Sequence, residues 1–267
     1  MSPIRLALVM LLALPATTQA QGLRNLCPDR PGKATPACTL DPGHVEYEAS
    51  LADWSHDHAR GKADDALLIA DSLLRIGITG DTEAQIGWTP WERDRARNEG
   101  GLNRSSGTGD ITLSIRHNLR NPDGKDVSLA LQPFISLPTG SRTVSAGDWG
   151  AGLTIPASFA LPSDVQLALV PTIEAAVNED GNGRHLAYSL VTSITVPVGS
   201  TGISAILELW SQRDHGPSGH ISQHGADVVA AWQPRQLANI QLDIGAYLGL
   251  DHNTPDAELL GGVAVRF

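Results

Sequence analysis

The sequence predicts an all-β fold, a closed antiparallel transmembrane β-barrel of about twelve strands, and three observations carry that prediction. From Gly43 onward, apolar and polar residues alternate with period two. Several alternating segments run eleven residues or more, the length needed to cross hydrocarbon at a tilt. The connections alternate too, tight and then long, which describes short periplasmic turns and longer extracellular loops.

Strands are expected near 43–54, 64–79, 82–90, 108–119, 126–138, 149–161, 164–178, 184–198, 201–212, 219–233, 238–250 and 257–267. In "DITLSIRHNL", Ile111, Leu113 and Ile115 share one face and Thr112, Ser114 and Arg116 the other. In "ANIQLDIGAYLGL", Ile240, Leu242 and Ile244 oppose Gln241 and Asp243. The tight connections are "TGDT" (79–82), "NPDG" (121–124), "LPSD" (161–164), "VGST" (198–201) and "PRQL" (234–237). The others are more polar, above all 91–107, "WERDRARNEGGLNRSSG", which reads as a long loop. Both termini then fall on the short-turn side. Trp54, Trp88, Trp91, Trp149 and Trp210 lie near the long-loop ends, as an interfacial girdle would, although parity turns Trp54 and Trp210 inward. A soluble β-sandwich would also alternate, but with strands of only about five or six residues.

Ahead of the barrel stands "MSPIRLALVMLLALPATTQAQG", with Arg5, an apolar run from Leu6 to Ala16, and small residues at Thr18 and Ala20. This is the pattern of a cleavable export signal over 1–20. Residues 21–42 then form a short segment containing Cys27 and Cys38. In an oxidising periplasm these two are expected to pair, stapling the segment in a structural role. With only about 22 residues before strand one, a full plug domain is not expected. After the signal no run of 18 apolar residues occurs, so no membrane helix is available. A formal charge of −10 argues against nucleic acid. The expected location is the outer membrane, with its lipid and lipopolysaccharide, the barrel-assembly machinery and a small-molecule solute as partners.

The segments "LLRIGITGDTEAQIGW" (73–88), "GTGDITLSIRHNL" (107–119) and "SLALQPFISLPTGS" (128–141) resemble the family called putative MetA-pathway of phenol degradation. Members of that family are described as outer-membrane barrels of transporter type. The resemblance implies passage of small, aromatic compounds without identifying one. The terminal Phe267, with Val265 and Val263 alternating before it, resembles the signal read by the assembly machinery.

Parity assigns Glu46, Glu48, Asp71, Glu83, Asp110, Glu174, Glu208, Asp227 and Asp243 to the lumen, with Arg75, Arg116 and Arg266. Nine carboxylates against three guanidinium groups favour cations if they line an open path, although such charges also simply solvate a wet interior. Leu67, Ile69, Leu73, Phe134, Val170 and Ile206 are interspersed on that face, a mixed wall suited to amphipathic or aromatic solutes. Depth bookkeeping places Arg266, Glu46/Glu48, Arg75, Glu83 and Arg116 at one level on adjacent strands, an alternating ladder across the barrel seam. No cofactor is assigned. Loop histidines His56, His58, His215, His220, His224 and His252 stand near Asp57, Asp214 and Asp251, a set that could hold a transition metal, but exposed unliganded imidazoles are the simpler reading. The expected function is a channel or transporter and not an enzyme. Two alternatives stay open. One is a structural barrel without transport, and the other is a lipid hydrolase using His220 and Ser222 with Asn253 orienting the histidine.

Overall fold

The computed structural model describes residues 22–59, 62–98 and 100–267. The segment read as an export signal therefore lies outside the described residues. The chain forms one closed antiparallel barrel of twelve crossings, almost without helix. Eight crossings are single strands, the first seven being β1 (Val45–Ala59), β8 (Val127–Leu137), β11 (Gln166–Val177), β12 (Arg184–Pro197), β13 (Ile203–Asp214), β14 (Ile221–Trp232) and β15 (Ile240–Gly249). The last crossing is β16 (Ala257–Arg266), which pairs with β1 from Glu46↔Arg266 to His56↔Ala257 and closes the wall.

The remaining four crossings are each split in two. They are β2 (Lys62–Ile69) with β3 (Ser72–Gly77), β4 (Thr82–Trp88) with β5 (Trp91–Asn98), β6 (Gly101–Gly107) with β7 (Ile111–Arg120), and β9 (Gly150–Thr154) with β10 (Ala157–Ala160). Two of the breaks fall at Pro90 and Pro156, which cannot donate to the ladder. A third falls at Ala70, whose φ is +57°. The short turns sit where the sequence places them. In the first, Asp81 accepts hydrogen bonds from the Thr79 (2.6 Å) and Thr82 (2.9 Å) hydroxyls, which hold its carboxyl below the usual range.

The expected loop 91–107 is instead strand. Residues 91–98 and 101–107 pair from Glu92↔Gly107 to Asn98↔Gly101, and β1 and β2 likewise continue to the pair Ala59↔Lys62. The alternating charges of "WERDRARN", taken for loop polarity, belong to a two-faced strand, its acids on one side and its arginines on the other. The barrel wall is therefore taller on this side than expected.

The wall is apolar outside and polar inside. Ile244 is 68% exposed while its neighbour Asp243 is 9%, and Leu207 and Leu209 flank a 3% exposed Glu208. This inversion follows from the solvent, because hydrocarbon accepts Leu and Ile, whereas a charge on the lipid face costs a few kcal/mol.

Parity is not continuous along the first two crossings. A bulge between Ser50 and Ala52 in β1 leaves Leu51 unpaired and reverses the face of everything beyond it. Trp54 consequently opposes the exposed Leu259 and faces outward, and Asp53 opposes the buried Leu260 and faces in. The break at Ala70 does the same to β2, so Leu67 and Ile69, expected inside, lie on the outer face with Trp54 and Trp91.

Candidate functional site

The lumen is not empty. Residues 24–41 enter at the short-turn rim, rise along the interior to an apex at Lys33, and return to the same rim before β1. At the rim, Arg24 donates to the Gly80 (2.6 Å) and Thr39 (3.1 Å) carbonyls, and its own carbonyl accepts from Arg266 (2.7 Å). On the return, Thr39 N–H donates to the Pro122 carbonyl (3.1 Å) and Leu40 N–H to Glu83 (2.8 Å). Cys27 and Cys38 are joined by a disulfide with their Cα atoms 6.6 Å apart, which ties the two legs of this finger together. Its Pro and Gly content (Pro28, Pro31, Gly32, Pro36) suits an irregular backbone whose polar groups are satisfied by side chains of the wall. The segment is short, as expected, yet it crosses the interior, and its function as an internal finger was not read from the sequence.

Two buried arginines anchor its base. Arg75, fully buried, reaches Glu46 (2.9 Å), Glu48 (3.2 Å) and Glu83 (2.9 Å) on both neighbouring strands and also donates to the Cys27 carbonyl (2.7 Å). Arg116 grips Asp29 of the finger with both oxygens (2.7 and 2.6 Å), lies 3.3 Å from Glu83, and donates to the Gln132 side chain (2.8 Å). The ladder thus exists at β1, β3, β4 and β7. Its first rung differs, because Arg266 stands opposite Glu46 in register but turns to Asn239 (2.8 Å) and the Arg24 carbonyl.

The apex is held by the far wall. Glu208 accepts the backbone N–H groups of Lys33 (2.6 Å) and Ala34 (3.2 Å). A Cβ at Gly32 would collide with that carboxylate, which would have to shift from the two N–H groups it holds. Arg30 pairs with Asp243 (2.8 Å) and donates to Ser50 (2.6 Å), while Glu48 accepts the Asp29 and Arg30 N–H groups. Tyr247 donates to the Pro31 carbonyl. The Lys33 ammonium lies 4.1 Å from the Tyr247 ring centre, 5.4 Å from that of Trp210 and 3.6 Å from Glu258, a cation held between aromatic faces and a carboxylate.

The finger divides the interior. A cavity of about 1180 Å³ opens at the short-turn rim beneath it. Above and beside it lie cavities of about 400 and 270 Å³. The larger of these two carries Asp53, Asp71, Asp110 and Glu258, with Arg30 and Lys33 on the finger side. The smaller is walled by Val170, Val191 and Trp210 together with Thr154, Thr172 and Lys33.

Of the residues singled out from the sequence, Glu46, Glu48, Arg75, Glu83, Arg116 and Asp243 come together on the finger's ionic anchors. Asp227 accepts from the Trp210 indole (3.1 Å) and Asp71 from the Thr89 hydroxyl (2.6 Å). Asp110 accepts the Gly140 (2.8 Å) and Ala146 (2.9 Å) N–H groups, and so holds the connection after β8 rather than standing free. Glu174 lies beside β9, apart from the finger. Sequence reasoning missed Asp53, hidden by the bulge, and Glu258, which shares the parity of Arg266 and could have been found by continuing that count. The finger's own Asp29, Arg30 and Lys33 were missed because nothing in a Pro/Gly-rich stretch fixes a direction. His220 packs edge-on against His215, at 4.6 Å between ring centres. Ser222 accepts from Arg213 (3.2 Å), and Asn253 donates to the Ser222 carbonyl (2.9 Å) rather than to a histidine. The geometry does not assemble these three as a catalytic unit.

The family model of the putative MetA-pathway of phenol degradation matches residues 28–267. The chain belongs to that family. The match begins at Pro28, so the family unit takes in most of the lumenal finger as well as the barrel. Among solved structures, the COG4313 outer membrane channel from Pseudomonas putida F1 aligns with TM-score 0.68 at 16% identity, over 89% of this chain and 99% of that one. The NanC porin aligns at 0.51 with 9% identity, over 83% and 98%. The β domain of the Bordetella autotransporter BrkA aligns at 0.52 with 10% identity, over 84% and 99%. At these identities the likeness is one of fold. No curated protein matches the sequence.

Proposed function

We propose that this family member is an outer-membrane channel for small solutes, narrowed by its own N-terminal finger, and that it favours cationic or amphipathic, aromatic compounds over anions. The observation that carries this reading is the divided lumen. A 1180 Å³ vestibule and two smaller chambers flank a finger held by polar contacts rather than by a hydrophobic seal.

The 400 Å³ chamber sets six carboxylates, Asp29 and Glu48 of the anchors among them, against the two bases Arg30 and Lys33, which favours cations in the passage. The neighbouring chamber mixes valine, tryptophan and threonine, a lining that accepts a ring on one side and hydroxyl groups on the other. The aromatic preference also draws on the family description. The pore-lining set in this reading is Asp53, Asp71, Asp110, Glu174, Asp227 and Glu258, with the Arg75/Arg116 cluster and Arg266 fixing the finger.

Reconstitution in planar bilayers under a KCl gradient tests it. The reversal potential should report cation selectivity, and Asp53→Asn with Glu258→Gln should weaken it. Liposome flux should rank a neutral phenolic solute and an organic cation above an organic anion of equal size. A folded barrel with neither conductance nor flux would transfer the case to a structural role.

A further inference from the structure

The hairpin β5–β6 sorts its charges by face. Cross-strand partners share a face, and Glu92 opposes Leu68, which opposes Asp53, which opposes the buried Leu260, so Glu92 and Asp94 look inward. By the same register Arg93 opposes Leu67, which opposes Trp54, which opposes the exposed Leu259. Arg93, Arg95, Arg97 and Arg104 therefore all lie on the outer surface of the wall. Arg95 and Arg104 are direct cross-strand partners, an arrangement of like charges that costs stability unless an anion sits between them. Among the described residues the carboxylate on this face is Asp65, opposite Arg95, and it is bonded to His56 at 2.9 Å. Among the described residues no ion pair reaches any of the four arginines.

The height of this patch identifies its partner. Trp54, Trp88 and Trp91 are exposed on the same outer face, and such rings mark the headgroup level of a bilayer. At about 3.4 Å per residue, Arg93 lies about 7 Å along the strand beyond Trp91, Arg95 and its partner Arg104 about 14 Å, and Arg97 about 20 Å. A headgroup layer is about 5–7 Å deep. With strands tilted about 35–45° these rises project to about 5, 10 and 15 Å along the membrane normal, so Arg93 stands within the layer and the other three rise above it.

We propose that this arginine face binds a phosphorylated glycolipid of the outer leaflet, whose sugar headgroup carries phosphates at and above the interface. Guanidinium groups pair with phosphate oxygens two at a time, and a phosphate between Arg95 and Arg104 removes their mutual repulsion. The proposal rests on the outer-membrane reading, from which it inherits the bilayer level.

The test is native mass spectrometry of the full chain in detergent, titrated with diphosphorylated lipid A and with its dephosphorylated form, for wild type and for Arg93→Gln/Arg95→Gln/Arg104→Gln. Wild type should retain the phosphorylated lipid at least tenfold more tightly than the dephosphorylated one, and the triple variant should lose that preference. Equal retention by both proteins, or displacement of the lipid by millimolar inorganic phosphate, would overturn the proposal. Folding of both proteins into phosphatidylcholine bilayers, read by heat-modifiable gel mobility, separates the two claims. A variant that folds there yet keeps its lipid preference sinks this proposal alone. A wild-type chain that enters no bilayer sinks the membrane reading beneath it.

Discussion

Glu208→Ala should loosen the apex of the finger and widen the channel. Glu208 is 3% exposed and accepts two backbone N–H groups, from Lys33 and Ala34. Hydrogen bonds to a charged group contribute about 1.5–3 kcal/mol each, so the gross loss is about 3–6 kcal/mol. Part of this returns, because the freed N–H groups rehydrate in the lumen and a buried carboxylate no longer has to be desolvated. A net loss of about 1–3 kcal/mol remains, about 5–150-fold in the docking equilibrium of the apex. Arg30–Asp243 and Arg116–Asp29 still hold the ascending leg, and Leu40 N–H to Glu83 the return leg, so the change is confined to the tip. Single-channel recording should show higher conductance levels visited more often, with Glu208→Gln between wild type and Glu208→Ala. Glu174→Gln, an inward carboxylate away from the finger, should leave the frequency of those higher levels unchanged. A Glu208→Ala barrel that folds normally and conducts like wild type would refute the idea that the finger limits passage.

Arg75→Met should destabilise the barrel by about 3–5 kcal/mol, since it strands buried carboxylates. The denaturant midpoint reads the loss, and combination with Glu83→Met should cost less than the two single losses added. Leu207→Arg places a charge on the lipid face near mid-crossing and should cost about 2–4 kcal/mol in the same assay, and a neutral outcome would mean that face meets water. Reducing Cys27–Cys38 frees a closed loop worth about 3 kcal/mol of chain constraint. Limited proteolysis should then cut within residues 28–37 faster than in the oxidised protein, and unchanged cleavage would show that the wall contacts alone hold the finger.

The barrel was legible because lipid enforces one rule on every crossing. Leu207, Leu209, Leu242 and Ile244 must face hydrocarbon, and the residues between them cannot, so period two survives along whole strands. That rule fails where the backbone changes its count. The extra residue at Leu51 and the left-handed Ala70 leave no mark in hydropathy, and both sent Trp54, Leu67 and Ile69 to the wrong side. The protruding hairpin hid for another reason. Above the membrane its outer face need not be apolar, so alternation of Glu and Asp with Arg replaced alternation of polar with apolar. The candidate site was half legible. Glu46, Glu48, Arg75, Glu83 and Arg116 could be placed by depth and parity, and their density hinted that something charged must meet them. The finger that does so lacks any periodicity, and its path is set by partners distant in sequence, such as Glu208 and Asp243.

Both legs of the finger leave by the same rim, where Arg24 and Thr39 meet the short turns. The loop is therefore seated as a piston is in a cylinder, and not threaded through it. Withdrawing it requires breaking side-chain contacts and the Thr39 to Pro122 backbone bond at the rim, but no pairing between neighbouring strands, so the barrel can be emptied while remaining closed. The disulfide keeps the two legs moving as one body, whose path out runs along the axis of the pore.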